Sequence, residues 1–153
     1  MSGPAQGKGI TAMDIDPQIT QRVVLYVEDE PVNVLLMRML FERRPSLHLE
    51  VATTGQQALA MAPQLQPALL LLDLNLPDCH GTQLLPLLRR HPGWQDLPAV
   101  AVTAESRFQP LDGAFQEVWR KPLDLRRALA RLDEMLGPSM AITAPVELAA
   151  KAA

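Results

Sequence analysis

Cysteine and aromatic residues are scarce in this chain. Of its 153 residues one is cysteine, and aromatic residues make up 4%. A single cysteine excludes an internal disulfide framework and any zinc site built from cysteines. With so few rings, leucine, valine and alanine must fill the core, and an apolar share of 48% is sufficient for that at this length.

Excess positive charge and long apolar runs are also missing. The net charge is −3 and the pI is about 5.6, which argues against a sequence-independent nucleic-acid binder because such proteins need a basic surface. No apolar run reaches the roughly 18 residues of a membrane span, and the first residues lack the apolar segment of a signal peptide. We therefore expect a soluble cytoplasmic protein with neither nucleic-acid nor membrane partners.

The length predicts one domain between two tails. Residues 1–20 start with several glycines and prolines and show no sustained period, so we expect a mobile N-terminal leader. Gly137 and Pro138 form a helix-stop pair, after which residues 138–153 are expected to be a C-terminal tail. The folded unit is therefore predicted over residues 21–137.

Apolar periodicity predicts strands that alternate with helices along this unit. Continuous apolar runs at Val23–Val27, Ala68–Leu72 and Ala99–Val102 are typical of strands buried on both faces. The alternation over Leu47–Val51 indicates a strand at the sheet edge, and Phe115–Trp119 indicates a shorter strand. Strands that alternate with helices favour the α/β class, with a parallel sheet that carries helices on both faces.

Helices are predicted in the intervals between these strands. Pro31 suits the first turn of a helix with apolar residues every three or four positions. Thr54 and Gln57 form a capping-box pattern for a second helix. Two further helices are expected over Gly81–Arg90 and Leu125–Leu136.

Chemically active side chains follow the predicted strands at their carboxyl ends, where ligands bind in sheets of this kind. Crowded carboxylates favour a hard cation, and Mg²⁺ prefers oxygen ligands. A metal and a lysine would neutralise phosphoryl oxygens, a threonine would donate to one of them, and one carboxylate would be the nucleophile. The residues at these positions are Glu28, Asp29, Asp73, Thr103 and Lys121.

Four segments together resemble the response-regulator receiver domain of two-component phosphorelay signalling, over roughly Arg22–Leu136. The resemblance is closest to stand-alone receivers and to receivers of hybrid sensor kinases. It implies a doubly wound five-stranded parallel sheet with the flavodoxin-like order 2-1-3-4-5. The segments are VLYVEDEPVN (Val24–Asn33), LLLLDLNLPDCHG (Leu69–Gly81), AVTA (Ala101–Ala104) and RKPLD (Arg120–Asp124).

The resemblance implies a role for each residue that would meet the phosphoryl group. Asp73 is the implied phosphoacceptor, and Lys121 pairs with it or with its phosphate. Thr103 is the implied switch hydroxyl, and the amide of Ala104 also meets the phosphoryl group. The peptide bond between Lys121 and Pro122 is implied to be cis.

The resemblance also implies a magnesium site and a type of partner. Asp29 and Asp73 would bind Mg²⁺ directly, Glu28 through a coordinated water, and Asn75 through its backbone carbonyl. The phosphoryl group would come from a phosphohistidine on a histidine kinase or histidine phosphotransfer protein, and output would be protein contact or phosphate relay. Phosphoryl acceptance and hydrolysis would be self-catalysed, so no enzyme is expected. Asn75 and Glu105 would tune hydrolysis toward a short-lived phosphoryl state.

Two alternatives remain at this point. A pseudo-receiver that acts only as a protein-binding module would have lost site residues. A phosphohydrolase of the haloacid-dehalogenase type would carry a second acid two positions after the nucleophile, where this chain has Asn75 after Asp73. Neither glycine-rich nucleotide motif is present, and Cys79 and His80 are interpreted as surface-loop residues.

Two features depart from the family pattern. Val118 stands three positions before Lys121, where receivers usually carry an aromatic switch residue. The only room for a fourth helix is residues 105–112, and Pro110 interrupts it. We therefore expect a fourth helix reduced to about one mobile turn and a remodelled output surface, with partner contact through the first helix or the rim loops.

Overall fold

The computed structural model of this chain describes residues 21–110 and 113–137. Within these ranges the chain forms five strands and four α-helices. The strands are β1 (Arg22–Val27), β2 (Leu47–Ala52), β3 (Pro67–Asp73), β4 (Ala99–Thr103) and β5 (Glu117–Arg120). The helices are α1 (Pro31–Phe41), α2 (Gly55–Met61), α3 (Gly81–Leu88) and α4 (Leu125–Leu136), with a 3₁₀ turn at Ala62–Gln64. The predicted tails, 1–20 and 138–153, lie outside the described residues.

The five strands form one parallel sheet in the order β2-β1-β3-β4-β5. This confirms the α/β class, the doubly wound order and the edge position of β2. In the register, Asp73 pairs with Val102 and Thr103 pairs with Arg120. The carboxyl ends of β3, β4 and β5 therefore lie side by side.

Two apolar layers sandwich the sheet. Leu70 and Leu72 of β3 pack toward α2 and α3, whereas Leu69 and Leu71 pack toward α1 and α4. All four side chains are fully buried, and burial of a leucine contributes about 1.5–3 kcal/mol relative to exposure. The continuous apolar run of β3 thus follows from its burial on both faces.

Local capping fixes where α2 and α4 begin. The Oγ1 atom of Thr54 accepts a hydrogen bond from the backbone N–H of Gln57 at 3.0 Å. The Gln57 side chain accepts from the N–H of Thr53, one residue earlier than a full capping box requires. The Asp124 carboxylate accepts from two backbone N–H groups of the first turn of α4. These contacts satisfy amides that have no partner within the helix.

Two element boundaries differ from the prediction by two residues. β5 begins at Glu117 rather than Phe115, because Phe115 is buried before the strand, edge-to-face with Phe108 at 5.9 Å between ring centroids. α3 ends at Leu88 rather than Arg90. The guanidinium of the next residue, Arg89, donates to the carbonyls of residues 95, 97 and 114. These contacts join the loops on either side of β4.

The fourth helix expected between β4 and β5 is reduced to a turn in residues 105–110. The N–H of Phe108 donates to the carbonyl of Glu105 at 3.3 Å, and no helix forms in this described part of the segment. The Arg120 guanidinium donates to the carbonyls of both Glu105 and Phe108. Residues 111–112 lie outside the described residues.

Among the helices that the structure describes, none is long and apolar enough to cross a membrane.

Candidate functional site

The polar residues predicted at the strand ends come together at one rim of the sheet. Glu28 and Asp29 follow β1, and Asp73 ends β3 beside it. Thr103 ends β4, and its carbonyl accepts a hydrogen bond from the N–H of Lys121 at 2.9 Å. The parallel strand order therefore brings four segments that are distant in sequence together at a single cleft.

Three carboxylates crowd this rim. Glu28, Asp29 and Asp73 each offer an oxygen, and these oxygens all lie within 4.8 Å of one another. Glu28 is fully buried and Asp73 is 4% exposed. Like charges this close destabilise one another unless a cation joins them, and an all-oxygen donor set is the chemistry that Mg²⁺ prefers. The cluster is therefore compatible with magnesium.

Glu28 is held by four donors on both of its oxygens. Its Oε1 atom accepts from the Tyr26 hydroxyl at 3.0 Å and from Lys121 Nζ at 2.8 Å. Its Oε2 atom accepts from the N–H of Glu30 at 3.1 Å and from Asn33 Nδ2 at 3.4 Å. These contacts satisfy a charge that would otherwise be very costly to bury.

Tyr26 is a site residue that the sequence interpretation missed. The apolar run predicts it as one more buried position of a strand, and its side chain is 0% exposed. Its position two residues before Glu28 places both side chains on one face of the strand path. The sequence signal for this role is a tyrosine within an aliphatic strand, two residues before an acid. Because a buried hydroxyl needs a hydrogen-bond partner, that acid is the candidate acceptor.

Lys121 contacts two of the carboxylates unequally. Its Nζ atom lies 2.8 Å from Glu28 Oε1 and 3.3 Å from Asp73 Oδ2. Burial lowers the pKa of Lys121, but its hydrogen bond to Glu28 and the charges of both acids outweigh burial and raise that pKa overall. The Lys121–Pro122 peptide bond is cis, as the resemblance implies.

The carboxyl group of Asp73 has a raised pKa. Burial and then the charge of Glu28 raise its pKa from an ordinary 3.8 to about 6. The charge of Lys121 and a hydrogen bond from the N–H of Asn75, at 3.2 Å to Oδ1, offset part of this rise. Since Lys121 lies closer to Glu28, the negative charge of Asp73 is only partly compensated.

Thr103 and Ala104 lie beside Asp73 at the end of β4. Val102 is the register partner of Asp73, so Thr103 is the next residue along the neighbouring strand. The Thr103 side chain is fully buried, and its Oγ1 atom accepts from the N–H of Glu105 at 2.9 Å. That contact uses the oxygen as an acceptor and leaves the hydroxyl proton available to donate. Ala104 is exposed at the rim.

His80 is more than the surface-loop residue that the sequence suggested. It is half-buried and is the N-cap residue of α3, where its Nδ1 atom accepts from the N–H of Thr82 at 3.3 Å. Its own N–H donates to the Gln83 side chain, which completes a capping box. Its Nε2 atom lies 2.8 Å from Glu105 Oε2.

Cys79 is also half-buried, and burial together with the neighbouring Asp78 raises its thiol pKa.

The aromatic residue of β5 faces away from the usual switch position. Val118 packs toward the α2 and α3 layer, while the next residue, Trp119, is buried in the α1 and α4 layer. The Nε1 atom of Trp119 donates to Glu117 Oε1 at 2.9 Å. Since side chains alternate across a strand, Trp119 does not substitute for an aromatic residue at position 118.

Comparison with known proteins identifies relatives of this arrangement. A family model described as the response regulator receiver domain matches residues 24–133. The DNA-binding dual master transcriptional regulator RpaA of Synechocystis is 31% identical over 117 residues, which cover 74% of this chain and 48% of RpaA. The signal transduction histidine-protein kinase BarA of Escherichia coli K12 is 31% identical over 108 residues, 68% of this chain and 12% of BarA. The chain thus spans less than half the length of these two relatives.

A solved structure agrees with this fold. The receiver domain of sensor histidine kinase PA1611 from Pseudomonas aeruginosa PAO1 superposes with a TM-score of 0.69 and 21% identity. The match covers 77% of this chain and 99% of that domain. That structure is described with a magnesium ion coordinated in its active site cleft.

Proposed function

This chain belongs to the response regulator receiver domain family, and from that premise we propose that Asp73 accepts a phosphoryl group from a phosphohistidine. The family is a signalling module rather than a classical enzyme. The observation that carries the proposal is the buried, incompletely neutralised carboxylate of Asp73 at a rim with Lys121 and two further acids. The donor would be a histidine kinase or a histidine phosphotransfer protein.

The transfer needs a nucleophile and groups that stabilise the moving charge. An Asp73 oxygen forms a bond to phosphorus while the nitrogen–phosphorus bond of the donor breaks. The electron pair of the broken bond stays on the imidazole nitrogen. Lys121 would neutralise phosphoryl oxygens. The hydroxyl of Thr103 and the N–H of Ala104 would donate to them. The spare proton of the Thr103 hydroxyl and the exposure of Ala104 support these roles.

A divalent cation would complete the charge balance. Asp29 and Asp73 are the proposed direct ligands of Mg²⁺, and the backbone carbonyl of Asn75 is a third. Glu28 would act through a coordinated water, which agrees with the protein donors already on both of its oxygens. When bound, magnesium would supply positive charge to the carboxylates and to the phosphoryl oxygens.

The setting of the domain is part of the proposal. Residues 21–137 would be the receiver, with residues 1–20 and 138–153 as a leader and a tail. Output would be contact with a protein partner or onward relay of the phosphoryl group. A cytoplasmic location would suit this role, because the phosphohistidine of the donor derives from ATP.

Treatment with acetyl phosphate and Mg²⁺, followed by intact mass spectrometry, tests the proposal. The wild-type protein should gain one phosphoryl group, and Asp73→Asn should gain none because the amide is not a nucleophile. Asp96→Asn is the matched control, since Asp96 is an exposed acid in the loop before β4, away from the rim. Equal labelling of wild type and Asp73→Asn would contradict the proposed site. Failure of the wild type to take up phosphate, BeF₃⁻ or Mg²⁺ would favour the pseudo-receiver alternative.

A further inference from the structure

Strand β2 ends the sheet, and in the described part of the chain it pairs with β1 alone. The hydrogen bonds at the two ends of this pairing run from β1 and the residue after it to the carbonyls of Ser46 and Ala52. The even-numbered residues of β2 therefore bond to β1, and the backbone groups of Leu47, Leu49 and Val51 point outward. Among these outward groups, within the described residues, only the N–H of Leu47 has a partner, a carbonyl of the preceding turn.

The side chains of β2 alternate between an apolar face and a charged face. Leu47 and Leu49 pack into the α1 and α4 layer. His48 and Glu50 lie on the opposite face of the strand, where His48 Nε2 is 2.7 Å from Glu50 Oε2. These two side chains are 46% and 35% exposed, so both are accessible to a strand that is laid along the outer edge.

We propose that two copies of this chain join through their β2 edges as antiparallel strands of one continuous sheet, with the two Leu49 residues paired across the two-fold axis. Each Leu49 N–H then donates to the Leu49 carbonyl of the other copy, and each Val51 N–H donates to the other copy's Leu47 carbonyl. His48 of each copy lies directly opposite Glu50 of the other, with about 4.5–5.5 Å between Cβ atoms. The outward backbone groups and the charged side chains are thus matched in the same arrangement.

The two charged side chains select this register over its neighbours. A slip by one residue would place the apolar side chains of one copy beside the charged side chains of the other. A slip by two residues in one direction places Glu50 opposite itself, and like charges directly opposite destabilise a sheet. A slip by two in the other direction places His48 opposite itself and leaves neither carboxylate with an imidazole opposite it. Only the proposed register pairs the acid with the imidazole in both copies.

The pairing also brings exposed apolar residues of α1 near the junction. α1 packs against β2, and the Val32, Leu35 and Met39 side chains of α1 are 63%, 57% and 50% exposed. Because the two-fold axis is perpendicular to the sheet, both α1 helices lie on the same face of the joined sheet, one on each side of the junction. We expect each helix to shield part of the other's apolar surface from water.

Charge reversal at the paired positions tests the proposal, with analytical ultracentrifugation of the unphosphorylated protein as the measurement. The wild type should sediment as a dimer at high concentration. His48→Glu places acids opposite each other and should weaken self-association roughly tenfold. Glu50→Lys removes the acceptor opposite His48 and should weaken it similarly. An equimolar mixture of these two variants should form a heterodimer, because each introduced charge then lies opposite a group that it attracts.

A control and a second measurement make the test specific to this edge. Asp96→Lys reverses an exposed acid in the loop before β4 and should leave sedimentation unchanged. Hydrogen exchange of the wild type needs no variant to fold. The amides of Leu49 and Val51 should exchange more slowly as the protein concentration rises, because they gain hydrogen bonds only in the dimer, whereas amides within α3 should be unaffected.

Several results would overturn the inference. These are a wild type that stays monomeric at every concentration, a dimer that His48→Glu leaves intact, and a mixture of the two variants that does not associate. A dimer in which the amides of Leu49 and Val51 gain no protection would place the contact on another surface and would overturn it as well. Since no residue of the rim takes part, the inference stands or falls independently of phosphoryl transfer to Asp73.

Discussion

The Asp73→Asn substitution should stabilise the metal-free protein. The Asp73 side chain is 6% exposed and shares the rim with Glu28 and Asp29. Lys121, the cation that contacts it, lies closer to Glu28. An asparagine keeps nearly the same shape but removes a charge that the folded state holds at a cost.

The size of the effect follows from the pKa of Asp73. A rise from 3.8 to about 6 corresponds to an upper bound of about 3 kcal/mol, at about 1.4 kcal/mol per pH unit. Solvent at the rim screens the charge, so we expect a gain of about 2 kcal/mol. Because the folded-state pKa is raised, the protonated acid favours folding below pH 4, and this contribution is lost as the pH rises through 6. The gain should therefore be complete at pH 7.5.

Urea denaturation of both proteins in the presence of a chelator measures this gain. The midpoint should be higher for Asp73→Asn at pH 7.5, with the same dependence of the unfolding free energy on urea. At pH 4 the two proteins should be nearly equal. Asp96→Asn, an exposed change, should stay within about 0.5 kcal/mol of the wild type at both pH values.

Two results would refute the reasoning. If Asp73→Asn were less stable than the wild type at pH 7.5, Lys121 would compensate Asp73 fully, contrary to the distances. If the gain were as large at pH 4 as at pH 7.5, it would not arise from the ionised carboxylate.

Three further predictions concern the metal, a helix cap and the loop after β4. Mg²⁺ should raise the melting temperature of the wild-type protein because it binds the native state, and Asp29→Ala should lose that rise; a magnesium-independent melting curve for the wild type would contradict this. Asp124→Ala should cost about 1 kcal/mol in urea denaturation, since two amides of α4 lose their acceptor, and an unchanged midpoint would show that water replaces the cap. Hydrogen exchange should be faster in residues 105–110 than in α3, because the segment forms only a turn; protection equal to that of α3 would contradict the expected mobility.

Local patterns determined most of the fold. The buried strands could be predicted because a continuous apolar run is needed wherever both faces of a strand are covered. The acids, the threonine and the lysine of the rim could be identified because each lies at the carboxyl end of a predicted strand. The loss of the fourth helix was also predictable, since a short segment with Pro110 lacks the hydrogen bonds and length for a stable helix.

Element boundaries were decided by contacts between distant segments. Phe115 is as apolar as a strand residue, but its ring packs against Phe108 before the strand begins. Arg89 continues the helical pattern in sequence, yet its guanidinium binds carbonyls in the loops on either side of β4. No periodicity within one segment contains that information.

The pairing of charges at the rim was decided by the tertiary structure alone. The residue types were evident from the sequence, but which acid Lys121 contacts more closely depends on where the ends of β1, β3 and β5 lie in the sheet. The same holds for the Tyr26 hydroxyl on Glu28 and for His80 on Glu105. The sequence determined which polar and charged groups were available. Hydrogen bonds and ion pairs form only over a few ångströms. The partners of each group were therefore decided by the order in which the strands pack in the sheet.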